Sequence, residues 1–199
     1  MKKVILSAFT ATSLLLPSSP IFAGPLTISL GIPQEQTFTE KNESGSKIET
    51  DGSSGYFLGI MFPVGFGLGI DSYKTKFKGD TSKIVTFMYN VFYQFPIPVI
   101  NITIGLGSGK TTLDCSACAE DYMDPESGDK TGYKAGAASQ WYTSFGIQFT
   151  QLIDLHISFR SVTSKKIEQV YSGTKVNYSG KVTGVGLAFN FLNKRTVLV

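Results

Sequence analysis

Histidine is almost missing from this sequence: of 199 residues only His156 carries an imidazole, and Cys115 and Cys118 are the only cysteines. A histidine-based metal centre needs further ligands than these. A Cys-x-x-Cys without a thioredoxin-like βαβ context is no redox motif either. Charged residues make up only 17% of the chain and the net charge is +3, so the basic footprint of a nucleic-acid binder is absent. Helical periodicity is nowhere sustained. Beyond the N-terminus no apolar run approaches the length of a transmembrane helix. There is no low-complexity linker. What the chain has in quantity is glycine (21 residues) and aromatics (13%), spread through segments of alternating character.

The first residues form a separate unit. Lys2 and Lys3 precede an apolar core, Val4 to Leu16, followed by Pro17-Ser18-Ser19-Pro20 and then Ile21-Phe22-Ala23 before Gly24. This is the layout of a cleavable signal peptide over residues 1–23, with Ala23 the last residue removed. Its removal takes two lysines and no acids, leaving 176 residues with a net charge of +1, a length suited to one domain. An exported chain meets oxidising conditions, so Cys115 and Cys118 are expected to form a small local disulfide.

The remainder reads as eight strands. In Val99 to Gly109, Ile100, Ile102, Ile104 and Leu106 fall on one face; Asn101, Thr103, Gly105 and Gly107 fall on the other. Side chains alternate across a strand, so this segment has an oily face and a small or polar face. The same pattern recurs over Leu26–Ile32, Ser54–Phe62, Phe66–Ile70, Lys83–Phe95, Ser139–Phe149, Ile153–Arg160 and up to Val185–Phe191. The connections alternate in length. Those near residues 34–53, 77–82, 110–137 and 163–175 are long or charged, whereas those at Pro63, Pro96 and Gln151 are minimal.

Aromatics sort by strand end. Phe62, Phe66, Phe95, Phe149 and Phe191 fall beside the short turns, and Trp141, Tyr56 and Tyr178 fall toward the long loops. Amphipathic rings at two water–lipid boundaries produce two such girdles. The expected fold is therefore all-β, an eight-stranded antiparallel up-and-down transmembrane barrel over residues 24–191, with residues 192–199 as a tail. Short turns would face the periplasm and long loops the exterior.

With these residues in view, the chain resembles the small eight-stranded bacterial outer membrane β-barrels, the group that includes the OmpA transmembrane domain, OmpX, OmpW and the opacity proteins. The most specific pieces are Trp141–Arg160 (WYTSFGIQFTQLIDLHISFR) and the closing Val185–Phe191 (VGLAFNF), which is similar to the aromatic-ended signal read by barrel assembly machinery. The resemblance implies residence in the outer membrane of a Gram-negative bacterium. It also implies contact with lipid and lipopolysaccharide, a monomeric state and no cofactor, with loops that meet a host or surface ligand. It supplies no single activity, because such barrels act as anchors, adhesins, enzymes or narrow pores.

An eight-stranded interior is just wide enough for side chains to fill. The inward set includes Asp71, Tyr73, Met88, Asn90, Phe92, Gln94, Tyr142, Gln148, Asp154, His156 and Arg160. Arg160 enclosed there requires a carboxylate, for which Asp71 and Asp154 are the candidates. Small inward residues such as Gly67, Gly69, Gly105, Gly107 and Gly146 leave a narrow pore as one alternative. The other is catalytic: His156 and Ser158 share a strand face, with Glu168 in the next loop, similar to the His-x-Ser pair of lipid A deacylase barrels. Here Phe159-Arg160-Ser161 follows the serine, unlike the small residues of that family. Asp114, Glu120, Asp121, Asp124, Glu126 and Asp129 crowd the third long loop without calcium-loop spacing and read as a solvated acidic surface. Gly105–Thr112 mimics a phosphate-binding loop, but Ile104 stands where its first glycine belongs.

Overall fold

A computed structural model describes residues 26–40, 47–95, 97, 100–150, 152–165, 167–173 and 175–191. The expected signal peptide, the tail after Phe191, Pro96, Pro98 and Gln151 lie outside the described residues. Eight long strands build the wall: β1 (Leu26–Phe38), β2 (Thr50–Met61), β3 (Phe66–Phe77), β4 (Lys83–Phe95), β5 (Ile100–Asp114), β7 (Gly136–Gln148), β8 (Ile153–Ser164) and β11 (Gly180–Phe191). Each pairs antiparallel with its chain neighbour, and β1 pairs with β11 from Leu26↔Phe191 to Phe38↔Gly180, closing the sheet into a barrel.

Three short strands, β6 (Tyr133–Lys134), β9 (Ile167–Gln169) and β10 (Lys175–Val176), form a separate small sheet in the order β10-β9-β6 at the long-loop end. No helix occurs among the described residues.

Alternation dictates the wall. On β5, Ile100, Ile104 and Leu106 are exposed while Thr103 and Gly105 are buried, and the same parity holds around the barrel. Ile28, Leu30 and Ile32 on β1, Leu68 on β3, Val91 on β4, Phe145 and Ile147 on β7, Ile157 and Phe159 on β8, and Leu187 on β11 all point outward and stand about half exposed. A continuous apolar band of this size around a closed sheet is a lipid-facing surface, since water would not tolerate it. Moving toward the long loops, outward positions turn polar at Glu35, Ser54, Ser72, Ser108, Ser139, Ser161 and Thr183, while β4 keeps Phe87 and Val85 outward for two further rows.

The strands run several residues past that limit, which the sequence pattern did not indicate. β1 reaches Phe38, β3 reaches Phe77 and β5 reaches Asp114, so the first and third long loops are shorter than expected. Above the band both faces are polar or mixed, as with inward Thr111 beside outward Thr112, and the apolar alternation that marks a membrane strand disappears. The ladder then extends a rigid collar beyond the lipid.

The β1–β2 seam is the weakest. The two strands pair only from Thr27↔Met61 to Gly31↔Phe57, five residue pairs. Pro33 lacks the N–H a ladder requires, and a register shift between Pro33 and Glu35 diverts β1. At the other end, Phe62 N–H donates to Phe66 O (2.8 Å) across a tight turn whose Gly65 has φ 85°, a left-handed value that glycine adopts without strain.

Placing arginine on the band tests the face assignment. Ile104→Arg or Leu106→Arg is expected to cost about 2–4 kcal/mol and to deplete the folded, heat-modifiable band on unboiled gels. Ser108→Arg, on the same face above the band, is expected to cost about 0–1 kcal/mol.

Candidate functional site

Inward side chains fill the lumen in layers. At its centre Arg160 on β8 reaches Asp71 on β3, with Nε–Oδ2 2.9 Å and Nη2–Oδ1 3.5 Å. In the closed order these strands lie four steps apart in either direction, so the pair crosses the full diameter of the barrel. Asp71, not Asp154, is the carboxylate that meets the arginine. Both side chains are almost fully buried, at 6% and 2% exposure.

Further contacts complete this layer. Gln140 donates to Asp71 Oδ2 (2.6 Å) and Asn90 Oδ1 (2.6 Å). Arg160 also donates to Ser158 Oγ, and its guanidinium lies 3.4 Å from the centroid of the Phe57 ring and 4.8 Å from that of Tyr142. A charge pair removed from water is tolerable only when its remaining donors and acceptors are met in this way. Phe57, Tyr73, Met88, Ala138, Val162 and Val182 pack around it as an apolar collar.

Asp154 serves a second layer nearer the short turns. It accepts from Asn101 Nδ2 (2.7 Å) and Asn190 Nδ2 (3.0 Å), and Thr27 donates to Asn190 Oδ1 (2.7 Å). Between the layers lies a cavity of about 80 Å³, bordered by Ser144, His156, Ser158 and Phe92 among others. That volume holds a handful of waters. Above the central layer Thr75 donates to Gln36 Oε1 (2.6 Å) and shares a 2.8 Å bond with Ser53. The mouth is closed by Phe38, Ile84 and Ile167, with Phe77, Leu113, Tyr133 and Tyr178 packed on them.

Tyr178 therefore departs from the expected girdle. Its ring packs inward on Phe38 (5.8 Å) and Phe77 (5.7 Å), because a collar standing clear of the lipid needs apolar filling at its own mouth. Burial there pushes its phenol above the ordinary value. Trp141 and Tyr56 stand exposed on the outer wall, as do Phe62, Phe66, Phe95, Phe149 and Phe191 near the short turns. Gln148, expected inside, is exposed at the rim.

The catalytic candidates do not assemble. His156 Nδ1 faces Ser144 Oγ at 3.4 Å, while Ser158 Oγ donates to Gly184 O (3.4 Å) and accepts from Arg160. Glu168 lies on β9 in the small sheet, where it pairs with Lys175 (3.1 Å). Imidazole, hydroxyl and carboxylate thus serve three separate contacts, with the first two enclosed in the lumen. Cys115 and Cys118 are joined by a disulfide at the start of the third long loop. In that loop Asp124 Oδ1 accepts from the backbone N–H of Glu126 (2.8 Å) and Ser127 (3.3 Å), a carboxylate used to shape a turn.

Gln140, Asn190 and Phe57 were not singled out by sequence, whereas Asn101 was placed with Thr103 on the polar face of its strand. Parity could have found Gln140, which shares the inward face of its strand with Tyr142.

This architecture, a closed eight-stranded antiparallel barrel with a filled lumen and an apolar outer band, is that of the small outer membrane barrels. Among solved structures the chain is similar to Neisserial surface protein A (TM-score 0.58, 13% identity, covering 83% of this chain and 97% of that one). It is also similar to the Escherichia coli outer membrane protein W (TM-score 0.54, 13% identity, covering 85% and 98%). At that identity the likeness is one of fold. No protein-family pattern matches the chain, and no curated protein matches it in sequence.

The central pair carries a test. Asp71→Asn strands a buried arginine and is expected to cost about 3–5 kcal/mol of unfolding free energy, read from urea titration in lipid vesicles. Coupled replacement by Asp71→Leu and Arg160→Met is expected to recover most of that loss. Asp154→Asn, which faces no cation, should cost only about 1 kcal/mol.

Proposed function

We propose that this chain is an integral outer membrane protein whose role is non-enzymatic contact with the surroundings, made through its long loops and carried by a sealed barrel. The observation that favours this most is the small sheet at the long-loop end. β6 comes from the third long loop and β9 and β10 from the fourth, and they pair with one another as Tyr133↔Gln169 and Lys134↔Glu168. Two loops joined by a ladder, floored by the Phe38–Ile84–Ile167 cluster and clipped by the Cys115–Cys118 disulfide, make a platform of defined shape. Preorganised loops bind with less entropy lost on contact than free ones.

The same packing argues against the two alternatives. A pore needs a continuous wet path, but the Arg160–Asp71 layer and the aromatic mouth stand in its way. A lipid A deacylase needs its hydroxyl and imidazole at the lipid, but Ser158 and His156 face inward and are engaged separately. An N-terminal export signal removed after Ala23 belongs to this reading, as does insertion by the barrel assembly machinery.

Replacing residues 119–131 with a short Gly-Ser linker is expected to leave the heat-modifiable folded band intact. It should abolish adhesion of expressing cells to whichever matrix or host-cell surface the unaltered protein binds. Lipid A from those cells should keep all its acyl chains, and the purified protein should give no conductance steps in planar bilayers. A lost acyl chain that returns with Ser158→Ala would overturn the assignment in favour of the hydrolase.

A further inference from the structure

The outer side of the mouth plug is hollow. A pocket of about 380 Å³ opens there, between the β3–β4 turn, the end of β5, the disulfide-bearing loop and one face of the small sheet. That volume lies within the usual range of ligand sites. Phe77, Tyr133 and Tyr178 line it with three aromatic rings, of which Phe77 and Tyr178 lie 5.7 Å apart at 41°. Cys115 and Cys118, joined to each other, form another wall and fix its shape. Of the described residues lining the pocket only Asp80 is charged.

That carboxylate has no cation. Asp80 Oδ1 accepts from the Ser82 backbone N–H (3.0 Å) and from Ser82 Oγ (3.1 Å), which holds it within the turn. Among the described residues no lysine or arginine pairs with it; Lys78, two residues earlier, is held by Glu49 at 2.7 Å. Asp80 stands close enough to the rings that, after burial and Tyr133, its charge helps push the Tyr178 phenol up. The loop that leaves the pocket at Cys118 and returns at Thr131 adds Glu120, Asp121, Asp124, Glu126 and Asp129 against a single Lys130. A positive partner is therefore attracted from a distance, and on arrival it meets aromatic rings and an unpaired carboxylate.

We infer that this pocket takes an arginine side chain carried by an extended basic segment of a partner protein, its guanidinium against the aromatic rings and bonded to Asp80. Arginine fits better than lysine for a physical reason. A guanidinium is planar and weakly hydrated, stacks on ring faces and forks onto a carboxylate, whereas an ammonium holds its water strongly. A peptide fits better than a small free cation because one positive charge satisfies Asp80 alone. Basic residues flanking the arginine meet the acidic loop that springs from the same pocket wall. The inference rests on the loop-contact reading proposed above and supplies the chemistry of the partner.

The test uses the full chain extracted folded from the outer membrane of an expressing Gram-negative cell into mild detergent. Fluorescence anisotropy reads the binding of labelled, end-capped peptides in which glycine alternates with arginine, with lysine or with citrulline, the neutral isostere of arginine. The arginine peptide should bind most tightly, and the citrulline peptide at least about fivefold more weakly. Asp80→Asn, which keeps an acceptor oxygen for Ser82, and Tyr133→Leu should each weaken the arginine peptide at least about fivefold. Tyr133→Phe should leave it within about twofold, as should Asp51→Asn, an exposed carboxylate on β2 away from the pocket lining. Should Tyr133→Leu fold poorly, Asp80→Asn at its exposed turn still decides. Equal binding of the three peptides, or undiminished binding by the folded Asp80→Asn protein, overturns the pocket and leaves loop contact standing. Displacement of the arginine peptide by an equal concentration of tetramethylammonium makes a small cation the occupant and overturns the peptide assignment. Cell adhesion that survives replacement of residues 119–131 overturns the contact reading itself, and the pocket's partner with it.

Discussion

Everything in this structure depends on one constraint: a strand in lipid has no water to satisfy its backbone, so the sheet can have no free edge within the apolar band. Closing β1 onto β11 over its full length meets that condition on one side. On the other side β1 pairs with β2 only up to Gly31↔Phe57. That end coincides with the top of the band, where Ile32 and Tyr56 are the last large outward side chains before Glu35 and Ser54. Pro33 and the register shift beside it therefore fall where water is again at hand, and their missing bonds cost little there. The same irregularity two turns of the pleat lower would open an unpaired edge to hydrocarbon.

Closure with eight strands also fixes the interior volume, and the side chains divide it by pairing large with small. The Phe57 ring occupies the space a side chain would take at Gly31 and Gly184, Tyr142 does the same at Gly105, and His156 at Gly146. Gly107 likewise faces Asn90 and Gln140, so these glycines are the complements of larger side chains, not openings in a channel. Polar groups that remain inside must find one another across the lumen. The Asp71–Arg160 pair does so between opposite walls, and Gln140 with Asn90 ties in two more strands. Removing either charge alone leaves the other desolvated, so the pair fixes how the walls face each other.

Much of this was legible in the sequence because the lipid imposes it. β4 runs over Lys83–Phe95 as its alternation indicated, and the inward positions of Asp71, Asp154, His156 and Arg160 follow from parity alone. What was not legible depends on relations between strands. Parity puts both aspartates inside but cannot say which meets Arg160, because that is set by where β3 stands relative to β8 around the ring. The collar was invisible for a different reason. Beyond the lipid the outward face is free to be polar, and period-two patterning fades although the ladder continues. Tyr178 and the β6–β9–β10 sheet lie in that zone, where a tyrosine near a strand end serves equally as girdle or plug until its neighbours are known.

Parity also separates the functional possibilities more sharply than any motif. His156 and Ser158 share the inward face of β8, and the residue between them, Ile157, faces lipid. A shift of one residue would have delivered the imidazole and hydroxyl to the membrane; as folded, Ser158 instead completes the hydrogen bonding of Arg160, and His156 borders a small cavity. With the lumen committed to its own packing, chemistry at this protein's surface is left to two regions that packing does not consume. One is the loop platform above the mouth. The other is the outer wall, where Lys76 and Lys83 stand opposite each other at the edge of the apolar band and Asp114 faces Lys83 from β5.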